Sequence, residues 1–216
     1  MRFLVLGASG GCGRWLTSLA ASRGHQVTAL VRPSATLEAA PNVHVRRADP
    51  MDPAVLADVI AGQDAVASCI GIRRAAKFPW APLRSPADLT ERLATALVPA
   101  MQRGGVRRLV AISAGGVGDS NRRLTPFVRW LLSRGTIGVS YADLARMESV
   151  LSASDLDWLA VRPVTLKGGK PTGRAGPVSR FGMFSTIRRG DVAAWMLSAL
   201  EEPKPFVEHT VLLGSR

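Results

Sequence analysis

The chain has 216 residues, 47% of them hydrophobic and 20% charged, which suits one sizeable α/β domain over residues 1–216 and excludes a disordered or fibrous chain. Its formal net charge of +12 comes mostly from arginines that stand singly or in pairs, such as Arg46-Arg47 and Arg107-Arg108, with no basic tract and no interleaved aromatic residues. That argues against nucleic acid as a partner and for a basic surface that attracts an anionic small molecule. Two cysteines, Cys12 and Cys69, exclude a disulfide framework and a zinc site, and no run of about 18 apolar residues marks a membrane span.

Strand-like and helix-like patterns alternate along the chain. Arg2–Leu6 is a short apolar strand, and it breaks at Gly7 well before a secretory leader would end. A helix follows through Trp15–Ala21, with its start in the glycine run. Gln26–Val31 and Asn42–Arg47 read as the next strands, the latter with Val43 and Val45 alternating with polar neighbours. Asp52-Pro53 is an N-cap followed by a first-turn proline, opening a helix to Ile60. Ala65–Ile70 is an unbroken apolar strand of the kind buried on both faces of a parallel sheet. Ser85-Pro86 opens a helix toward Arg103, and Leu109–Ser113 is a strand. The remainder reads as helix 142–151, strand 158–161, helix 192–200 and strand 210–213. Such alternation predicts βαβ crossovers and a doubly wound parallel sheet, the Rossmann architecture. Two segments interrupt it, near 72–88 and 115–138. They carry Trp80 in the first, and Phe127 and Trp130 on a short amphipathic stretch in the second. Both follow strand C-termini, where open α/β sheets bind ligands, so each is a candidate lid as well as a surface insertion.

The run Gly7-Ala8-Ser9-Gly10-Gly11-Cys12-Gly13 leaves a predicted strand and enters a predicted helix. In that setting Gly7 permits a sharp turn, Gly10 leaves space for a pyrophosphate and Gly13 allows close helix packing. The pyrophosphate would meet unpaired N–H groups at the positive end of the helix dipole. After the second strand stands Arg32, where an acid would bind the ribose hydroxyls of NAD; a guanidinium there favours the extra phosphate of NADP. Asp49, after the third strand, is placed for the adenine amino group. Ile70-Gly71, after the fourth, would let the backbone pass near the nicotinamide-side ribose.

These residues resemble the atypical short-chain dehydrogenase/reductases, in particular the NAD(P)H-binding, NmrA-like branch that includes the biliverdin/flavin reductases. The matching stretches are Val5–Gly13, Val31-Arg32, Ala48-Asp49, Val110–Gly115, Leu156–Pro163, Thr172-Gly173 and Arg189–Ala193. The resemblance implies a seven- or eight-stranded Rossmann domain with a small C-terminal substrate region. It also implies that Ser113 and the stretch from Arg162 through Pro163 and Val164 to Thr165 face the nicotinamide. Ser113 and the lone tyrosine, Tyr141, are the candidate catalytic residues. However, Ala145 stands where the family's usual lysine would lower the tyrosine pKa, and a packing role at the start of a helix is the alternative for Tyr141. His25, His44 and His209 fall on early or terminal strands, unlike the substrate-side histidines of biliverdin/flavin reductases.

The expected function is NADPH-dependent reduction of a small aromatic or quinonoid acceptor in the cytoplasm, by a monomer or homodimer without nucleic-acid or membrane partners. The alternative is a non-catalytic NADP(H)-sensing regulator of the NmrA type, motivated by the missing lysine.

Overall fold

The computed structural model describes residues 1–76, 78, 80–123, 135–182 and 184–216. In chain order the elements are β1 (Arg2–Leu6), α1 (Gly11–Ser22), β2 (Gln26–Val31), β3 (Val43–Arg47), α2 (Pro53–Ile60), β4 (Ala65–Ser68) and α3 (Leu89–Arg103). Then follow β5 (Arg108–Ile112), a 3-10 turn (Gly118–Arg123), α4 (Thr136–Ser152), β6 (Asp157–Pro163), β7 (Thr165–Lys167), β8 (Ala175–Pro177), β9 (Thr186–Arg188), α5 (Arg189–Glu201) and β10 (Thr210–Ser215).

Among the described residues the main sheet has eight strands in the order β3-β2-β1-β4-β5-β6-β10-β8. The ladders from β3 to β10 are parallel, and only β8 runs antiparallel, against β10. This is the doubly wound Rossmann order that the alternating pattern predicts. The direction of winding reverses between β1 and β4, and that reversal opens a crevice at the strand C-termini.

Each strand side chain goes to one of two cores, because successive residues face opposite sides of the sheet. Phe3, Val5, Val27, Ala29, Val110 and Val161 join Leu16 and Ala20 of α1 and Met196 and Leu197 of α5. Leu4, Leu6, Leu30, Val66, Leu109 and Ala160 join Leu56 of α2, Leu97 of α3 and Met147 of α4. Burial of both faces explains why these strands read as near-continuous apolar runs.

Two helix starts and three short strands differ most from the sequence reading. Helix α3 begins at Leu89 rather than at Ser85-Pro86, since its cap comes from a distant element. The buried carboxylate of Asp143 on α4 accepts from Thr90 N at 3.0 Å, Thr90 Oγ1 at 2.6 Å and Glu91 N at 3.0 Å. Ser85 turns elsewhere, its hydroxyl accepting from Arg73 N at 2.9 Å. Helix α4 begins six residues earlier than expected, through Thr136-Ile137-Gly138-Val139-Ser140, whose β-branched and glycine content conceals a helix. The strands β7, β8 and β9 have three residues each, too few to show a period.

The segment after β4 folds back on itself. Arg74 pairs with Leu83, Ala75 N donates to Pro82 O at 2.8 Å, and Arg84 N donates to Arg73 O at 2.7 Å. The Phe127–Leu132 stretch, read from sequence as a short helix and lid, lies outside the described residues.

Candidate functional site

Parallel pairing brings the ends of β1, β2, β4, β5 and β6 to one rim. The glycine turn, Arg32, Ile70-Gly71, Ser113 and Pro163-Val164 lie at or just past those ends, so the sheet gathers residues far apart in sequence. At the centre of the rim Gly7 adopts φ +71°, a left-handed conformation that side chains disfavour. Its N–H donates to Leu30 O at 3.2 Å, and Gly10 N closes the turn on Gly7 O at 2.9 Å. A Cβ on Gly13 would stand 2.3 Å from Gly7 O and 2.9 Å from Ala8 Cα, so only glycine lets α1 start this close to the turn. The N-cap of α1 is Gly10, no side chain caps the helix, and its first turn holds no acid. The helix therefore presents uncapped N–H donors and its positive dipole end, the chemistry that a diphosphate needs.

The side of the rim toward β2 and β3 is rich in arginine. Arg32 is exposed at the end of β2 and has no side-chain partner among the described residues. Arg14 donates to Ser9 O at 2.9 Å and Thr36 O at 2.7 Å, and Arg47 to Leu37 O at 3.2 Å. Both tie down the loop that carries Arg32. Asp49 accepts from Met51 N at 2.9 Å through one carboxylate oxygen, and Asp52 caps α2 by accepting from Ala54 N at 2.9 Å. Ile70 lies against the turn, its Cγ1 2.9 Å from where a Cβ on Gly7 would be, whereas a Cβ on Gly71 would meet nothing within 4 Å.

On the other side of β4, Ser113 sits in a buried ionic network that sequence reasoning missed. Its N–H donates to Val161 O at 2.6 Å, and its hydroxyl donates to Glu148 Oε1 at 2.6 Å. The same carboxylate accepts from Arg162 Nε at 3.0 Å and Nη2 at 2.6 Å, and Arg162 Nη1 also pairs with Asp119. Ser113, Glu148 and Arg162 are all buried. This bidentate pair locks α4 to β5 and β6, and Gly115 N donates to Pro163 O at 2.9 Å in the same corner. The sequence reading reaches Arg162 only through the stretch that the resemblance turns toward the nicotinamide and gives Glu148 no role; nothing in their spacing reveals the pairing.

Tyr141 lies inside α4 rather than at a helix start, so the position in the packing alternative is corrected and its packing role is not. Its hydroxyl donates to Gly115 O at 3.0 Å. Burial pushes the phenol above its ordinary pKa of 10.0, against a smaller opposing pull from Arg74. Burial likewise pushes the Cys12 thiol up to about 11, with Arg189 acting in the opposite direction. The histidines lie away from the rim: His25 bonds Glu201 at 2.7 Å, and His209 stacks on Trp158. A groove of about 860 Å³ runs beside Trp195, Phe206 and Val211, also touching Asp119 and Arg162, but it lies along β10 and not at the glycine turn.

The family model for NAD(P)H-binding proteins matches residues 7–203. The chain belongs to this NAD(P)H-binding family. Solved structures of similar fold span nearly all of it. An anaerobilin reductase, ChuY, from Escherichia coli is 23% identical with a TM-score of 0.73, over 99% of this chain and 96% of that one. The oxidoreductase ylbE from Lactococcus lactis is 17% identical with a TM-score of 0.79, over 100% and 91%. A short-chain dehydrogenase/reductase from Veillonella parvula in complex with NADP is 16% identical with a TM-score of 0.77, over 99% and 94%. The uncapped turn described above is the feature of this NAD(P)H-binding chain that fits a dinucleotide.

Proposed function

We propose that the protein is an NADPH-dependent reductase of a small aromatic or quinonoid acceptor, working in the cytoplasm as one cofactor-binding domain. The observation that carries the reading is the uncapped turn at Gly7–Gly13 with the unpartnered Arg32 beside it. The turn would hold the diphosphate, Arg32 the 2′-phosphate and the free oxygen of Asp49 the adenine. Ile70, Gly71, Ser113, Pro163 and Val164 would border the nicotinamide. Ala8, Ser9, Gly11 and Cys12 complete the turn around the phosphates. When bound, reduced nicotinamide supplies a hydride, and the rim orients it against the acceptor.

What supports a quinonoid acceptor is the state of the two hydroxyls. The proton of Ser113 is engaged by Glu148 and that of Tyr141 by Gly115 O. Neither is poised to protonate an alkoxide, whereas a quinone or flavin can take its proton from solvent. Trp80 and Phe78, about half exposed on the excursion after β4, offer apolar surface for a flat acceptor. The similar structure of an anaerobilin reductase supports reductase chemistry on this fold.

The engaged hydroxyls equally favour a second reading, a non-catalytic NADP(H) sensor. Turnover separates the two. NADPH consumption, followed by its absorbance, is expected with at least one member of a quinone and flavin panel. Tight binding with no consumption across the whole panel would overturn the reductase reading in favour of the sensor.

A further inference from the structure

Among the residues of the glycine turn, Gly11 is outside the seven–ten–thirteen spacing, and nothing in the backbone requires glycine there. Its requirement is space. A Cβ on Gly11 would stand 2.4 Å from Arg189 Cδ, 2.7 Å from Nε and 3.6 Å from Cζ. Arg189 opens α5, the helix that packs beside α1 on the same face of the sheet, and its side chain lies across the first turn of α1. Among the described residues its guanidinium has no hydrogen bond or ion pair. The nearest acid in its own helix, Asp191, is occupied, its carboxylate accepting from Thr172 N, Thr172 Oγ1 and Gly173 N. The cation is felt at Cys12, the residue after Gly11, where it opposes the burial that raises the thiol.

An unpaired arginine resting on an uncapped helix start places positive charge beside other positive charge. Such an arrangement is unfavourable unless an anion comes between them. We propose that Arg189 is a further cofactor-binding residue that takes the diphosphate from the side of α5, and that Gly11 is the seat its side chain requires. The proposal rests on the cofactor reading above and deepens it. A guanidinium suits the task because it offers several donors in a fixed plane to phosphate oxygens. It differs from Arg32 in what it reads: the diphosphate belongs to NADH and NADPH alike, whereas the 2′-phosphate belongs to NADPH alone.

The test is a fluorescence titration of wild type, Arg189→Gln, Arg189→Ala, Gly11→Ala and the double variant Gly11→Ala/Arg189→Ala with NADPH and with NADH. Loss of one charge-assisted contact should weaken Arg189→Gln by about tenfold to a hundredfold for both nucleotides, leaving their ratio unchanged. Gly11→Ala should weaken binding similarly, by displacing the arginine. In the double variant the added methyl should cost nothing beyond Arg189→Ala alone. Unchanged binding in Arg189→Gln, or a loss confined to NADPH, would overturn the proposal while leaving the cofactor reading intact. A Gly11→Ala loss that persists in full without the arginine would overturn the seat. A wild type that binds neither nucleotide would remove the cofactor reading itself.

Discussion

At Tyr141 the hydroxyl already donates its hydrogen bond to Gly115 O, and burial holds the group protonated through and beyond neutral pH. A tyrosine acting as general acid needs the opposite, a pKa brought down toward working pH, and Ala145 cannot do what a lysine would. Tyr141→Phe is therefore expected to keep kcat within about tenfold of wild type, with the same pH profile between pH 6 and 9. A loss beyond about a hundredfold, the usual range for a removed general acid, would make Tyr141 catalytic after all. At this scale sequence was informative about some roles and silent about others. The glycines and Arg32 declare themselves by residue type next to a strand end. Glu148 and Arg162 do not, because a buried ion pair depends on two elements meeting in space.

At the scale of the element, Asp143 shows how a helix start can be invisible locally. The N-cap position of α3 is Asp88, but its carboxylate makes no cap hydrogen bond, and three bonds to the helix start come instead from α4. Asp143→Ala would leave two N–H groups and a hydroxyl unsatisfied in a buried corner, a loss expected to be roughly 2–4 kcal/mol by chemical denaturation. Asp88→Ala should cost under about 0.5 kcal/mol, as exposed substitutions usually do. Equal effects would mean that the cap is local. The same dependence on tertiary contacts explains why Thr136–Ser140 did not read as helix, and why the three-residue strands near the C-terminus went unseen. The long elements with strong apolar patterns were legible because their burial is dictated by the sheet itself.

For the whole molecule, parallel pairing is what turns scattered residues into one rim, and the alternating apolar pattern was enough to predict it. No helix among the described residues is long and apolar enough to cross a membrane. The net charge of +12 should draw any dinucleotide toward the rim in a salt-dependent way. In the proposed function this rim binds NADPH through the glycine turn, with Arg32 selecting its 2′-phosphate. The most direct measurement is a titration of the purified protein with NADPH and NADH, followed by nicotinamide fluorescence, before and after Arg32→Ala. The expected result is a preference for NADPH of at least about tenfold that the substitution abolishes by weakening NADPH alone. Equal affinity for the two nucleotides in the wild type, or a preference that survives Arg32→Ala, would contradict it.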